Sequence, residues 1–253
     1  MPDSLTFWAT PPVDRTLHDD EVHIWLASYK TFHAQLPELH GLLTIDEAEK
    51  AARFRFEKDR ERFIVTHSML RKLLAGYTSI SPTQLIFQHN AYGKPALSSH
   101  PQKELLHFNL SHSQDLIIYA FTCIRDIGID IEYRRTDIEY EQLARHYFSP
   151  FERAELQRLP SSLRQQAFFD CWTRKEAYIK ARGLGLSLAL DSFDVTIQPN
   201  APVKLLASRE SAHETTRWRF ASLPMNSDYA GTVVAEGQDW QMRCWQLLPH
   251  TLQ

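Results

Sequence analysis

Ile127-Gly128-Ile129-Asp130-Ile131-Glu132 alternates apolar and polar positions with a period of two, the pattern of a β-strand buried on one face. Its isoleucines share that face, so Asp130 and Glu132 project together from the other. The strand commits the chain to a sheet, and the segments around it supply both strands and helices. Residues 22–27 read as a strand. Thr44-Ile45-Asp46-Glu47 has the spacing of a capping box and opens a charged helical region that runs to about Tyr77 and ends near Gly76. Its later apolar positions Phe63, Leu70, Leu73, Leu74 and Tyr77 keep a helical period. A turn at Tyr92-Gly93-Lys94-Pro95 precedes strands at 105–110 and 116–123, and helices follow the acidic strand at 139–148, 150–159 and 163–182. Strands at 193–198, 218–223, 229–235 and 242–248 close the chain. This mixed order predicts an α+β fold of two similar-sized halves, 1–125 and 126–253, the second carrying Asp130 and Glu132.

Composition excludes several classes. The 253 residues are 43% hydrophobic and 23% charged, with 8 Gly and 13 Pro scattered through them, so collagen-like, low-complexity and mostly disordered chains are ruled out. With 28 basic and 31 acidic residues the net charge is −3, and no global basic field is present to hold nucleic acid. No apolar run approaches the roughly 18 residues of a spanning helix, and Met1-Pro2-Asp3-Ser4 lacks the order of an export signal. A cytoplasmic protein without a membrane partner is expected. Cys123, Cys171 and Cys244 are far apart and embedded in apolar segments, which reads as buried thiols rather than a disulfide framework or a zinc site.

Each candidate site has a plain structural reading beside its chemical one. Asp130 and Glu132 suit a hard divalent cation, or they are simply a solvated strand face. Trp172, Glu176 and Lys180 fall at four-residue steps on one helical stripe, which also describes an ordinary Glu–Lys pair beside a core tryptophan. Phe108-Asn109-Leu110-Ser111-His112-Ser113 leaves an apolar strand for small polar groups that could meet an anion or merely satisfy a turn. Lys50, Arg53, Arg55, Lys58, Arg60 and Arg62 form a basic cluster, interleaved with Glu49, Glu57, Asp59 and Glu61 that could pair with it. Walker, Gly-x-Gly-x-x-Gly, Gly-x-Ser-x-Gly and His-Glu-x-x-His patterns are absent, which removes the commonest nucleotide-, serine- and zinc-based readings.

Taken in order, Tyr92-Gly93-Lys94-Pro95, Phe108 to Ser113, Gly128 to Glu132 and Trp172 to Lys180 resemble the motifs of the 4′-phosphopantetheinyl transferases of the larger, Sfp-like type. A weaker upstream segment runs from Arg53-Phe54 to Arg71. The resemblance implies a monomer of two α/β halves related by pseudo-twofold symmetry, with coenzyme A in the cleft between them. It implies transfer of 4′-phosphopantetheine from coenzyme A to a serine of an apo acyl or peptidyl carrier protein, leaving adenosine 3′,5′-bisphosphate. By the same resemblance Asp130, Glu132 and Glu176 would hold Mg²⁺, with Mn²⁺ also suited to oxygen ligands. Glu176 would act as base directly or through water, and Lys180 would touch the phosphates or leaving group. Ser111 and His112 would contact the coenzyme A phosphates, Gly93, Lys94 and Pro95 would border the adenine, and Lys50, Arg53 and Arg62 would lie upstream near phosphate. Glu47 stands where some relatives have another cation. The carrier would dock near residues 133–151, where Tyr140, Leu143, Tyr147, Phe148 and Phe151 offer either an apolar surface or core packing. Two rivals keep the same acidic site or the same partners: a Mg²⁺-dependent hydrolase that cleaves nucleotide pyrophosphates, and a noncatalytic protein that binds carriers or coenzyme A.

Overall fold

The computed structural model describes residues 8–12, 15–98 and 106–251; Met1–Ser4 and the expected strand start at Leu105 lie outside them. β1 (Glu21–Ser28) leads to α1 (Leu36–His40), α2 (Ile45–Ala52) and α3 (Glu57–Thr78), then β2 (Phe87–His89), β3 (Pro95–Leu97), β4 (Leu106–Ser113), β5 (Leu116–Cys123) and β6 (Ile127–Tyr133). α4 (Tyr140–Tyr147), α5 (Pro150–Arg158) and α6 (Ser161–Arg182) come next. β7 (Phe193–Val195), β8 (Leu205–Ser208), α7 (Glu214–Arg217), β9 (Trp218–Ser222), β10 (Tyr229–Glu236) and β11 (Gln241–Gln246) complete the chain.

Two sheets are stacked between two 22-residue helices, α3 and α6. One sheet has the order β11-β1-β5-β4 and the other β6-β10-β9. Strand alternation sorts the layers. Trp25, Ala27, Ile117, Tyr119 and Phe121 pack towards Val65, Met69 and Leu73 of α3. Val22, Ile24, Leu26, Ile118 and Ala120 face the second sheet, where Ile127, Ile129, Ile131, Val233 and Ala235 meet them. The isoleucines of β6 thus form the interior between the sheets, and Asp130 and Glu132 are left on the face that α6 covers. The chain crosses from one sheet to the other at residues 124–126, yet β11 returns to pair in parallel with β1.

The helical region opening at Thr44 is two helices rather than one. Its capping box is present in both directions, Glu47 N to Thr44 Oγ1 and Thr44 N to Glu47 Oε2. The run stops at Ala52, and an extended Phe56 starts α3 with Glu57 and Asp59 in its first turn, where carboxylates complement the helix dipole. The basic cluster is therefore split across the break. α3 continues through Gly76 and ends at a left-handed Ser79. β4 also departs from expectation: it continues through Ser111, His112 and Ser113, and the turn falls at Gln114 and Asp115 instead. Ser111, His112 and Ser113 all serve as strand positions, and the Ser111 and Ser113 side chains reach β6. Strand β8 has no counterpart in the sequence reading. Of the cysteines only Cys171 is buried; Cys123 ends β5 and Cys244 lies on the edge strand β11, so both are half-exposed, and all three are free. Among the described residues no helix is long and apolar enough to cross a membrane.

Candidate active site

Glycine at 128 allows the site to form. A Cβ there would lie 2.1 Å from Ala177 O and 2.2 Å from Ala181 N, so only a residue without a side chain lets α6 press its backbone onto β6. That contact brings the Glu176–Lys180 stripe over Asp130. Asp130 is 4% exposed, and its Oδ1 meets Lys180 Nζ at 2.7 Å and accepts a hydrogen bond from Ser111 Oγ at 2.9 Å. Lys180 Nζ also donates to Ser111 Oγ at 3.1 Å and to Ile129 O at 3.2 Å. The other carboxylate oxygen, Oδ2, is buried without a hydrogen-bond partner.

β4 supplies the third side of the site through alternate residues. Asn109 Oδ1 accepts from Ile129 N, Ser111 donates to Asp130, and Ser113 Oγ donates to Glu132 Oε2 at 2.9 Å while accepting from Tyr133 N at 3.0 Å. These side chains tie β4 to β6, two strands that belong to different sheets. Burial, then the charge of Asp130, pushes Glu132 up to about 7 despite the hydrogen bond from Ser113. Burial and Asp130 also push Glu176 upward, and Lys180 offsets this only in part. Hard oxygen donors, an orphaned buried oxygen and two carboxyl groups resisting ionisation describe a site short of positive charge, and the donor set fits a divalent cation. As the side chains stand, no three His, Cys, Asp or Glu residues among those described form a ready-made metal shell. Neither Glu132 nor Glu176 has an ion-pair partner among the described residues, so turning either towards Asp130 breaks no salt bridge.

On the α3 side of β4 lies a cavity of about 450 Å³ whose lining includes Lys50, Phe63, His67, Phe87, Pro95 and Leu110 and none of the clustered carboxylates. Lys50 Nζ sits 5.3 Å from the centre of the Phe63 ring. Glu47 lines the same cavity: burial raises its carboxyl, but hydrogen bonds from His67, Arg71 and the Thr44 backbone outweigh burial and hold it at about 2. His112 has an exposed edge, yet desolvation, followed by the positive charges of Arg62 and Lys180, keeps it below the ordinary histidine range. Arg62 pairs with Asp59 at 2.9 Å.

Several expected site residues fall elsewhere. Arg53 projects into solvent with Glu49 3.6 Å away and does not line the cavity. Gly93 sits at the tip between β2 and β3, and Lys94 turns its ammonium onto two backbone carbonyls and lines a second cavity of about 520 Å³, shared with Pro95, Asp126 and Gly183, rather than the one that Lys50 lines. In the 133–151 segment Phe148 is a core residue stacked on Phe168, and Tyr140 and Leu143 pack against the same core. Of the five apolar candidates only Tyr147 and Phe151 are exposed, and the Tyr147 ring lies edge-on to Trp172 at 5.5 Å. Asn109 and Ser113 are no individual candidates in the sequence; their alternation with Ser111 along β4 is the signal that marks them.

Comparison with known proteins gives a consistent result. The model of the 4′-phosphopantetheinyl transferase superfamily matches residues 126–234, and that of the 4′-phosphopantetheinyl transferase N-terminal region matches residues 25–123. The 4′-phosphopantetheinyl transferase HetI of Nostoc sp. is 36% identical over 238 residues, 94% of this chain and 97% of that one. The putative 4′-phosphopantetheinyl transferase slr0495 of Synechocystis sp. is 29% identical over 81% of this chain and 80% of its own. The Sfp transferase of Bacillus subtilis is 32% identical over 65% of this chain and 71% of its own.

Proposed function

The chain belongs to the 4′-phosphopantetheinyl transferase superfamily, and from that premise we propose how its own residues carry the transfer. The enzyme moves 4′-phosphopantetheine onto a carrier protein, which sets aside both the hydrolase and the noncatalytic reading. In our reading the donor is coenzyme A. The acceptor serine hydroxyl of an acyl or peptidyl carrier attacks the phosphorus that bears the pantetheine arm. A new P–O bond forms, the pyrophosphate bond breaks, adenosine 3′,5′-bisphosphate leaves with the bond's electron pair, and the serine proton passes to a base.

Asp130, Glu132 and Glu176 would hold a divalent cation, Mg²⁺ or Mn²⁺, which supplies neutralisation of pyrophosphate charge when bound. The remaining work falls to the protein. Ser111 and Lys180 hold Asp130 in place, so its free oxygen points at a fixed position. Lys180 also puts one positive charge among the carboxylates, and exchanging Asp130 for a phosphate oxygen would let it steady the departing group. His112, Arg62 and Lys50 would meet the phosphates of coenzyme A, and the cavity bordered by Pro95 would take the adenosine. Glu176 is the base for the serine proton. Tyr147 and Phe151 mark where the carrier would approach, on the side of α6 that bears Trp172. We take the chain to act as a monomer on a carrier in solution, which sedimentation of the purified enzyme checks.

The observation that carries this reading is the buried, half-satisfied Asp130 facing two carboxyl groups and one lysine. Its test is mass spectrometry of an apo carrier incubated with coenzyme A and Mg²⁺, which should gain the phosphopantetheine mass. Glu176→Gln should lower kcat by about 10²-fold or more, within the range of a general base. Coenzyme A affinity should stay within about threefold of wild type, since the adenosine cavity is untouched. Wild-type turnover by Glu176→Gln at saturating Mg²⁺ would remove Glu176 from its assigned role.

A further inference from the structure

The β2–β3 hairpin reaches from the first half of the chain to the C-terminal end of α6. Phe87, His89 and Pro95 of this hairpin wall the cavity that Lys50 and Glu47 also line. Lys94 does something different. Its Nζ donates to Ile127 O at 2.9 Å and to Ala181 O at 3.2 Å, the first residue of β6 and the last turn of α6. Among the described residues it has no carboxylate within ion-pair distance, and burial lowers its pKa. A desolvated ammonium whose hydrogen bonds go to backbone carbonyls, with the charge of Asp126 beyond ion-pair distance offsetting only part of the burial, is expensive to keep.

Asn90 completes the clamp. Its Nδ2 donates to Gly183 O at 2.7 Å, while its Oδ1 accepts from the backbone N–H groups of Tyr92 and Lys94, each at 2.9 Å. The side chain that shapes the turn is therefore the one that grips α6. Gly183, with φ of 63°, caps α6 in the left-handed region. A Cβ there would lie 3.1 Å from Asn90 Nδ2 and 3.4 Å from Lys94 Cδ. The gripped carbonyls flank the catalytic elements: Ala181 follows Lys180 directly, and Ile127 lies one residue before Gly128, where α6 and β6 meet backbone to backbone.

We propose that Lys94 and Asn90 are positioning residues, which fix the end of α6 against the start of β6 and so hold Lys180 and Glu176 in register with Asp130. Resting on the transferase reading, this departs from the expectation that the Lys94 side chain serves the adenine. The hairpin that borders the substrate cavity also sets the geometry of the carboxylate cluster.

Three variants, Lys94→Met, Lys94→Arg and Asn90→Ala, separate these roles in the full-length enzyme. Measurements are kcat and KM for coenzyme A with an apo carrier, coenzyme A affinity by calorimetry without carrier, and hydrogen exchange of the backbone amides of residues 179–183. Lys94→Met should lower kcat by about 10- to 100-fold, the scale of a small misplacement of reacting groups. Its KM and coenzyme A affinity should stay within about twofold, and exchange at 179–183 should speed up. Asn90→Ala should move in the same direction by less, and Lys94→Arg, whose guanidinium can still bridge two carbonyls, should recover most of kcat. Weakened coenzyme A binding with kcat retained would make Lys94 a substrate contact and overturn the proposal. So would unchanged kcat and exchange in Asn90→Ala, including the case where Lys94→Met fails to fold. If wild type adds no phosphopantetheine mass to any apo carrier, the transferase reading fails, while exchange at 179–183 still decides whether the clamp exists.

Discussion

Asp130 and Glu132 show how one strand can give two acidic residues different roles. Asp130 is paired on one oxygen and bare on the other, whereas Glu132 has a single hydroxyl donor, Ser113 Oγ, and is pushed up to about 7 by burial and by Asp130. Ser113 is thus the group that orients Glu132, and because it also accepts from Tyr133 N, it ties that orientation to the strand's own backbone. Partners of this outer kind typically govern affinity for an ion by about 10- to 100-fold. Ser113→Ala should therefore raise the Mg²⁺ concentration for half-maximal transfer by about tenfold or more, with coenzyme A affinity unaltered in the absence of metal. A Mg²⁺ titration of initial rates checks this, and superimposable curves for the two proteins would deny Ser113 the role.

Among the elements, α6 and β6 depend on each other most. Adding one methyl at Gly128 would drive a carbon into the Ala177 carbonyl and the Ala181 amide, both backbone, so no side chain can swing aside to absorb it. Gly128→Ala should destabilise the fold by about 1–3 kcal/mol, the usual scale of overpacking, and abolish transfer even in molecules that remain folded. Urea denaturation and a rate measurement below the transition test both parts. What the sequence disclosed about these elements follows from periodicity. The alternation of Ile127, Ile129 and Ile131 located β6 and its acidic face, and the four-residue steps from Trp172 to Lys180 located the stripe that covers it. Helix breaks and pairings distant in sequence carry no periodic signal: Arg53 and Phe56 interrupt a charged stretch that is uniform in composition. Likewise Lys175 and Glu152 are fully buried partners at 2.7 Å, which no local spacing announces. The extension of β4 through Ser113 is hidden because Asn, Ser and His there look like turn residues, when all are strand positions and Asn109, Ser111 and Ser113 bond sideways to β6.

At the scale of the molecule, the layers are joined where β1 runs through the middle of its sheet, and there a histidine is buried. His23 is 1% exposed, its Nδ1 lies 2.8 Å from Tyr77 Oη of α3, and its Nε2 lies 3.2 Å from Glu21 Oε2. Trp25 Nε1 donates to the same tyrosine oxygen at 2.9 Å, which leaves the tyrosine hydrogen to point at Nδ1 and assigns the imidazole hydrogen to Nε2, facing Glu21. Glu21 in turn accepts from Arg243 of β11 at 3.0 Å, so a neutral imidazole links α3, β1 and the returning C-terminal strand. Protonation would put a second hydrogen on Nδ1, against the tyrosine hydroxyl, and burial opposes it further; His23 is accordingly lowered from 6.5, with Glu21 offsetting part of the shift. Because the unfolded chain takes up this proton more readily than the folded one, the contribution of His23 is fully present above pH 6.5 and declines as pH falls towards the lowered folded value. Glu21 and Glu47 are lowered from 4.5, and their stabilisation is lost only below that pH, whereas Glu132, pushed up to about 7, takes up its proton within the same window in wild type and in a His23 variant alike and so cancels from their comparison. Thermal midpoints measured from pH 7.5 to pH 5 should therefore fall more steeply for wild type than for His23→Gln, which carries no titrating group at the junction. Parallel curves would show that His23 does not couple the layers to pH, while convergence of the two proteins at the acid end is the outcome this geometry requires.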